Sequence, residues 1–439
     1  MIYIPSDEIQ LSDLHADTLG FTFIWKGHFL RGIYQESLEL AKSYFESGFL
    51  NEAVAKRLFP RTWISEFENE HFSMILEHEM ISPVIYATEW NSLMLKSAAL
   101  MVLEIAEIGW QHGYNMMDCH KLNVMFKGCS PLYVDLGSFV PRKEGMTGWH
   151  PYVNFMSSYY YILDIWSDGA GLLAKRMMSP GVSLSRNEWS IYKYPLNRRF
   201  HRLASLREKY LIYLCYLSSV PSNKLIEHLG IPTASLKAKF IKFLSKFVNI
   251  FQISPSQHIG WLRRKVSEMH IEVSPITKGE NINLDEMINL LRCLPEFNSA
   301  IFFNSPISKV LEICDKKEGL KSIVSVQEDF RVSNAEYKYV SHLERSDIFL
   351  SSFFLLNGGF SVRGKLPEPR LSSDIAIIID YQLPLGKFGL HNAIVFFNRC
   401  KEFSRTGHLV VNIPHCPDEI KQELLNRYFT KSIGDTFAC

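Results

Sequence analysis

No property of this 439-residue chain is concentrated in one sign or one residue type. Lys and Arg number 47 against 46 Asp and Glu, a formal charge of +1. No overall field therefore draws the chain to nucleic acid or to an acidic membrane. Its eight cysteines run from Cys119 to Cys439 without a Cys-x-x-Cys pair, which argues against a zinc site and against a disulfide framework. No apolar run approaches the roughly 18 residues of a membrane-crossing helix. The opening Met-Ile-Tyr-Ile-Pro-Ser-Asp-Glu is too acidic and too interrupted for a signal peptide. Internal repeats and low-complexity tracts are missing as well. The expectation is a cytoplasmic protein without a transmembrane segment, without a nucleic-acid partner, and with reduced thiols.

What is present is core material. A hydrophobic share of 47% and an aromatic share of 13% suffice for substantial cores, and the length predicts two or three domains. The most informative stretch runs from Tyr114 to Val140. Asp118 stands five residues before Asn123, and Asn123 twelve before Asp135, which opens an Asp-Leu-Gly. That spacing is the one a kinase-type phosphoryl-transfer site needs: a loop Asp to orient the attacking hydroxyl, then an Asn and an Asp to hold magnesium. Val124-Met125-Phe126 and Leu132-Tyr133-Val134 flank a Gly-Cys-Ser-Pro turn and predict a hairpin that brings Asn123 and Asp135 together. Such a site also needs a cation for the phosphates and an acid to hold that cation. Lys26, with Glu36 or Glu39, is the nearest candidate by chain order, and Arg31 is the alternative cation. Gly20, Gly27 and Gly32 are too dispersed to form a phosphate-cradling loop.

Aromatic and branched residues around Lys26-Gly27 predict a hairpin over residues 20–34. Leu38, Ala41, Tyr44 and Phe45 predict a helix that stops at Gly48, and a second helix is expected over residues 51–58. Residues 72–87 read as strand, turn at Ser82-Pro83, and a second short strand into Thr88. Asn91 then starts a long, buried helix. The aromatic run from Trp149 to Leu163 reads as core helix, ended by a turn at Asp168-Gly169. Two basic stretches follow: residues 193–209, and a helix face with Lys237, Lys239, Lys242 and Lys246. Both are read first as solvated faces. Beyond residue 285 strands and helices alternate. Strands are expected at Lys309–Cys314, Ser322–Val326, Ile375–Ile379 and His408–Ile413, a doubly wound, mainly parallel sheet with any ligand at the carboxyl ends of its strands.

Several segments resemble a bacterial family of SAM-dependent methyltransferases of the nodulation and polysaccharide type, in which a kinase-like segment precedes a class I methyltransferase domain. They are Glu77–Ile81, Ile85–Trp90, Met94–Leu100, Asn123-Val124 and Pro131–Phe139, with a weaker echo at Trp261–Val266. The resemblance implies cofactor contacts from Glu89 and, in the C-terminal domain, from Glu312 as first-strand acid and Glu328 or Asp329 on the ribose. Against the small residues such a cofactor turn needs, Asp315, Lys316 and Lys317 leave only Gly319, which makes the domain a degenerate methyltransferase and SAM a doubtful cofactor. The fold class expected is multidomain α/β and α+β. Residues 1–205 are a kinase-like domain with a reduced N-terminal lobe, 206–285 a helical connector, and 286–439 a Rossmann-like, methyltransferase-like domain.

The leading functional expectation is an ATP- and magnesium-dependent phosphotransferase acting on a hydroxyl of a glycan or small metabolite, in association with a polysaccharide or metabolite biosynthetic assembly. Its catalytic residue is Asp118, its metal ligands are Asn123 and Asp135, and its nucleotide-binding residues are Lys26 or Arg31 on the phosphates with Glu36 holding the cation. The alternatives are a SAM-dependent methyltransferase of polysaccharide or secondary-metabolite modification, and a non-catalytic binding module.

Overall fold

The computed structural model describes residues 2–9, 19–143, 148–179, 183–193, 254–273, 284–352, 373–382 and 389–439, apart from positions 318, 344 and 435, together with a few positions between 232 and 242. Beyond Lys193 the basic stretch at 193–209, Lys237 and Lys246 of the Lys-rich helix face, and most of the expected connector lie outside the described residues.

In the N-terminal part, β1 (Ile2–Tyr3) precedes the hairpin of β2 (Gly20–Trp25) and β3 (His28–Ile33). Lys26 and Gly27 make its turn, both at positive φ. Helices α1 (Leu38–Glu46) and α2 (Phe49–Ala55) follow, separated by Gly48 in the left-handed conformation. Strands β4 (Thr62–Ile64), β5 (Phe67–Glu68) and β6 (Met74–His78) complete a four-stranded antiparallel sheet of order β2-β3-β6-β4 and the small β1-β5 pair. The period of two assigns its faces. Phe21, Phe23, Trp25, Leu30 and Ile75 pack with Ile4 and Ile9 into a core of their own. Arg31, Ile33, Leu76 and His78 occupy the opposite face. The expected second strand into Thr88 is absent; the chain there makes a short 3-10 turn, Ala87–Glu89.

The long helix expected from Asn91 is α3 (Ser92–Gln111), with the Asn91 carbonyl oxygen of the side chain accepting the Met94 N–H at 2.8 Å. Twelve of its residues, including Met94, Leu95, Ala98, Val102 and Ile105, are buried, the all-round apolar surface of a helix at the centre of a fold. Strand β7 (Tyr114–Met116), the hairpin of β8 (Val124–Lys127) and β9 (Ser130–Tyr133), and β10 (Phe139–Pro141) follow, with β10 returning antiparallel to β7. The aromatic run forms α4 (Tyr152–Phe155), a π-helical segment (Met156–Tyr160) and α5 (Tyr161–Ser167). After α6 (Gly171–Arg176) and α7 (Arg186–Lys193), α8 (Pro255–Ser267) packs on α3, where Lys96 donates to the carbonyls of Ser267 and Met269 at 2.9 and 2.8 Å.

The C-terminal unit alternates as expected: α9 (Leu284–Arg292), β11 (Ser299–Phe303), α10 (Ile307–Lys316), β12 (Ser322–Val326), α11 (Phe330–Val340), β13 (Ile348–Ser351), β14 (Ser373–Ile378), α12 (Gly389–Lys401), β15 (Ser404–Asn412), α13 (Asp418–Arg427), β16 (Lys431–Ile433) and β17 (Thr436–Ala438). The sheet order is β13-β12-β11-β14-β15-β17-β16. The first five strands are parallel and β17 runs antiparallel to β15. Counted within the unit this is 3-2-1-4-5-7-6 with the seventh strand reversed, a Rossmann-like sheet of the methyltransferase kind. One expected strand is corrected. Lys309–Cys314 belongs to helix α10, whose buried Ile307, Val310, Leu311 and Ile313 follow helical spacing. The first strand is the preceding run Ser299–Phe303, buried at every position.

The two parts join along α11. Asn91 donates its side-chain N–H to the carbonyl and hydroxyl of Ser333 at 3.0 and 2.9 Å, and the Ser92 hydroxyl donates to Asn334 at 3.0 Å. The Tyr337 hydroxyl donates to the Cys129 carbonyl, and the Ser352 N–H to the Glu89 carbonyl at 2.6 Å. Among the described residues no helix is long and apolar enough to cross a membrane.

Gly20 lies against the backbone of Gly32 across the β2-β3 pair, where an added Cβ would overlap the Gly32 carbonyl oxygen. Backbone cannot rotate away as a side chain does, so Gly20→Ala is expected to lower stability by about 1–3 kcal/mol, read as a lower urea midpoint at unchanged slope.

Candidate functional site

Two polar regions stand out, one in each part. The first gathers the residues of the Asp-x-x-x-x-Asn and Asp-Leu-Gly spacing. Asp118 lies in the loop after β7, Asn123 at the start of β8 and Asp135 just beyond β9. The hairpin brings them together as its spacing predicts. Asn123 donates to Asp135 Oδ2 at 3.0 Å, and the Ser138 hydroxyl donates to the same oxygen. The Tyr133 hydroxyl donates to the Asp118 carbonyl at 2.8 Å and accepts from Asn123 at 3.4 Å. Asp118 itself accepts from Asn154 at 2.7 Å and pairs with His120, Nε2 to Oδ2, at 3.0 Å. Burial pushes the Asp118 carboxyl up, but hydrogen bonds from His120 and the loop backbone outweigh it and hold the group below its ordinary range. The hydrogen bond to Asp118 raises the imidazole of His120 in turn, against its partial burial.

The remaining residues expected at a phosphate site do not join this cluster as a set. Lys26 sits at the hairpin tip with its ammonium over its own Trp25 ring, 4.3 Å from the centroid. Glu36 is exposed in the turn before α1. Arg31 is buried on the inner face of the N-terminal sheet, beside His78, whose imidazole burial holds down to about 3. Glu89, fully buried, closes the turn at Tyr86 by accepting that residue's N–H at 2.9 Å.

The second region is the crevice at the carboxyl ends of the C-terminal strands. Strand order reverses between β11 and β14, the place where open α/β sheets bind ligands. The turn leaving β11 is Asn304-Ser305-Pro306, with Asn304 at φ 45°. Asn304 and Glu328, two residues past the end of β12, clasp each other. The amide donates to Glu328 Oε2 at 3.0 Å and the Glu328 N–H returns to Asn304 Oδ1 at 2.9 Å. Ser305 is fully buried; its hydroxyl donates to the Phe303 carbonyl at 3.0 Å and accepts the Ile379 N–H at 2.9 Å. Asp329 caps α11 through the Arg331 N–H. Asp380, at φ 61°, follows β14.

These residues fit SAM in three respects. A half-buried carboxylate ends the second strand, as the ribose hydroxyls require. Asn304 supplies the left-handed residue that turns the chain where a glycine would otherwise be needed. The N–H groups of Ile307 and Ser308 open α10 at the turn, ahead of Lys309 and Val310, which both donate to the Pro306 carbonyl. Asp315, Lys316 and Lys317, expected to crowd the turn, lie at the far end of α10, which removes that objection. Glu312 is also displaced: it is a helix residue paired with Lys309 and Lys316 at 3.4 and 3.2 Å, not a strand acid.

No family model matches the chain. The nodulation protein NoeA of Rhizobium meliloti (strain 1021) is 28% identical over 85 residues, 19% of this chain and 18% of that protein. The chain thus matches under a fifth of that relative's length. Similar solved structures include a ribosomal protein L11 methylase from Lactobacillus delbrueckii subsp. bulgaricus, at 12% identity and TM-score 0.27, covering 39% of this chain and 84% of that one. The O-methyltransferase TomG from Streptomyces achromogenes, in complex with SAM, gives 12%, 0.25, 35% and 77%. TrmK of M. capricolum, in complex with S-adenosyl-homocysteine, gives 10%, 0.24, 35% and 65%.

The expected phosphotransferase using ATP and magnesium is corrected by these findings. The similar solved structures named above include an O-methyltransferase in complex with SAM and a protein in complex with S-adenosyl-homocysteine, where the expectation had a nucleotide triphosphate. Asn304, Ser305 and Gln327 were missed in the sequence because the first strand was set one element too late. The sequence signal is the apolar run Ala300-Ile301-Phe302-Phe303 before Asn-Ser-Pro, followed by apolar residues three and four apart.

Because the folded His120 titrates above its ordinary 6.5, its pairing adds stability that is complete below that value and is lost as pH rises through the folded one. NMR titration of His120 is expected to give a midpoint above 6.5 that falls back toward it in Asp118→Asn. An unchanged midpoint in that variant would refute the pairing.

Proposed function

We propose that this chain is a SAM-dependent methyltransferase that modifies a hydroxyl-bearing acceptor of the polysaccharide or secondary-metabolite kind. The observation that carries the reading is the 3-2-1-4-5-7-6 sheet with Glu328 at the carboxyl end of its second strand, beside the reversal of strand order. In this reading Glu328 takes the ribose hydroxyls, Asn304 braces it, and the opening N–H groups of α10 face the methionine carboxylate. SAM supplies an electrophilic methyl group on sulfur, so the protein's task is to align an acceptor oxygen and exclude water.

The division at 1–205, 206–285 and 286–439 belongs to the proposal, as does a cytoplasmic setting. Residues 1–205 then keep a kinase-like order of hairpin-built sheet, buried helix, polar loop and second hairpin, put to use as an acceptor platform. Asp118, His120, Asn123, Asn154 and Asp135 offer the mixed donors and acceptors that a polyol or sugar ring needs.

Titration calorimetry with S-adenosylhomocysteine on the full chain tests the reading. Binding is expected, with affinity about tenfold weaker in Glu328→Ala, on the scale of a lost charged hydrogen bond. Absence of heat and of any thermal shift at millimolar ligand would sink it.

A further inference from the structure

Helix α11 is bonded through buried polar side chains on two sides, to the N-terminal part and to the floor of the crevice. Toward the N-terminal part, Ser333 receives the Asn91 amide, and Asn334 receives the Ser92 hydroxyl at 3.0 Å and the Leu93 N–H at 3.3 Å. Toward the crevice, Glu336 receives the Ser325 hydroxyl at 3.1 Å and the Gln327 amide at 2.7 Å. The same Gln327 nitrogen donates to the Ser305 carbonyl at 3.0 Å, and the Ser305 hydroxyl receives the Ile379 N–H at 2.9 Å. The bonds thus run from α11 to β12, to the end of β11 and to the end of β14. All eight side chains, Asn91, Ser92, Ser333, Asn334, Glu336, Ser325, Gln327 and Ser305, are at most 5% exposed.

We propose that Glu336 and Gln327 are positioning residues through which the N-terminal part, holding α11 by Asn91 and Ser92, fixes the Asn304–Ser305 turn of the crevice. The proposal rests on the reading of that crevice as the ligand site. Apolar contacts alone tolerate sliding of a helix over a sheet. Buried hydrogen bonds do not, because a displaced donor loses its partner where water cannot replace it. Gln327 is the pivot: its amide group serves Glu336 on one side and Ser305 on the other, so α11 cannot shift without moving the turn or abandoning a buried donor. Burial raises the Glu336 carboxyl to about 8, so the group sits there neutral and needs no counter-ion. Glu336 touches no ligand in this arrangement; its effect passes through Gln327 and Ser305.

Three variants of the full chain test this: Glu336→Leu, Glu336→Gln, and the double change Asn91→Ala with Ser92→Ala. Two readouts are taken, S-adenosylhomocysteine affinity and amide hydrogen exchange in the ligand-free protein. Glu336→Leu is expected to weaken binding and to speed exchange at the Ile379 amide, each by about tenfold. Glu336→Gln, which keeps an acceptor for Gln327, is expected to stay near wild type, and a merely volumetric role would not be rescued in this way. The double variant, changed only in the N-terminal part, is expected to speed exchange at Ile379 while Phe437 on the far side of the sheet stays protected. If its faster exchange is confined to Ser333 and Asn334, or if Phe437 and Ile379 loosen together, the relay is overturned. Should the wild type not bind S-adenosylhomocysteine, the cofactor reading fails, and the exchange of Ile379 alone decides the relay.

Discussion

The junction between the amino end of α3 and helix α11 is the constraint on which the rest of the molecule depends. Asn91 performs two jobs at once. Its side-chain oxygen starts α3 by capping Met94, and its nitrogen binds Ser333 of the other part. The helix that organises the N-terminal core therefore begins at the point where the two parts meet. A helix cap alone stabilises by about 1 kcal/mol; here the same residue also fixes orientation, because a buried amide permits few alternative pairings.

Around that junction, each part places its polar groups at an edge and its apolar groups behind them. In the N-terminal part, the largely buried α3 backs the loop that holds Asp118, and the β8-β9 hairpin carries Asn123 and Asp135 to the same place. In the C-terminal unit, a central strand with every residue buried ends in Asn304 and Ser305, where the apolar run stops and side-chain hydrogen bonding begins. Both polar regions are thus consequences of where a buried element runs out, the usual way a rigid scaffold presents reactive groups.

How much of this was legible depended on the strength of local punctuation. The Lys26-Gly27 hairpin, the stop at Gly48, the Asn91 cap and the hairpin between Asn123 and Asp135 are each written in turn and cap residues, and the structure has all four. The alternating C-terminal pattern was legible as a class, and Ser322–Val326 is strand at the predicted residues. The error at Lys309–Cys314 came from a short apolar run that satisfies strand and helix alike; only its neighbours decide, since Ser299–Phe303 had already filled the central strand position. At Asp118, Asn123 and Asp135 the spacing gives the convergence, which the β8-β9 hairpin produces, whereas the side-chain bonds from Asn123 and Ser138 to Asp135 carry no sequence signal. Glu336 and Gln327 carried no local signal at all: nine residues apart, they meet only because a helix packs over its own preceding strand.

The position of β17 has a consequence for the order of events during synthesis. Because β17 lies between β15 and β16 in the sheet, β16 has no neighbour to pair with when it first leaves the ribosome. The hydrogen-bonding edge of β15, with Val410, Val411 and Asn412, stays open for the same interval. Chains emerge at roughly 5–20 residues per second, so the sheet remains two strands short until Thr436–Ala438 arrives and joins β15 and β16 in a single step.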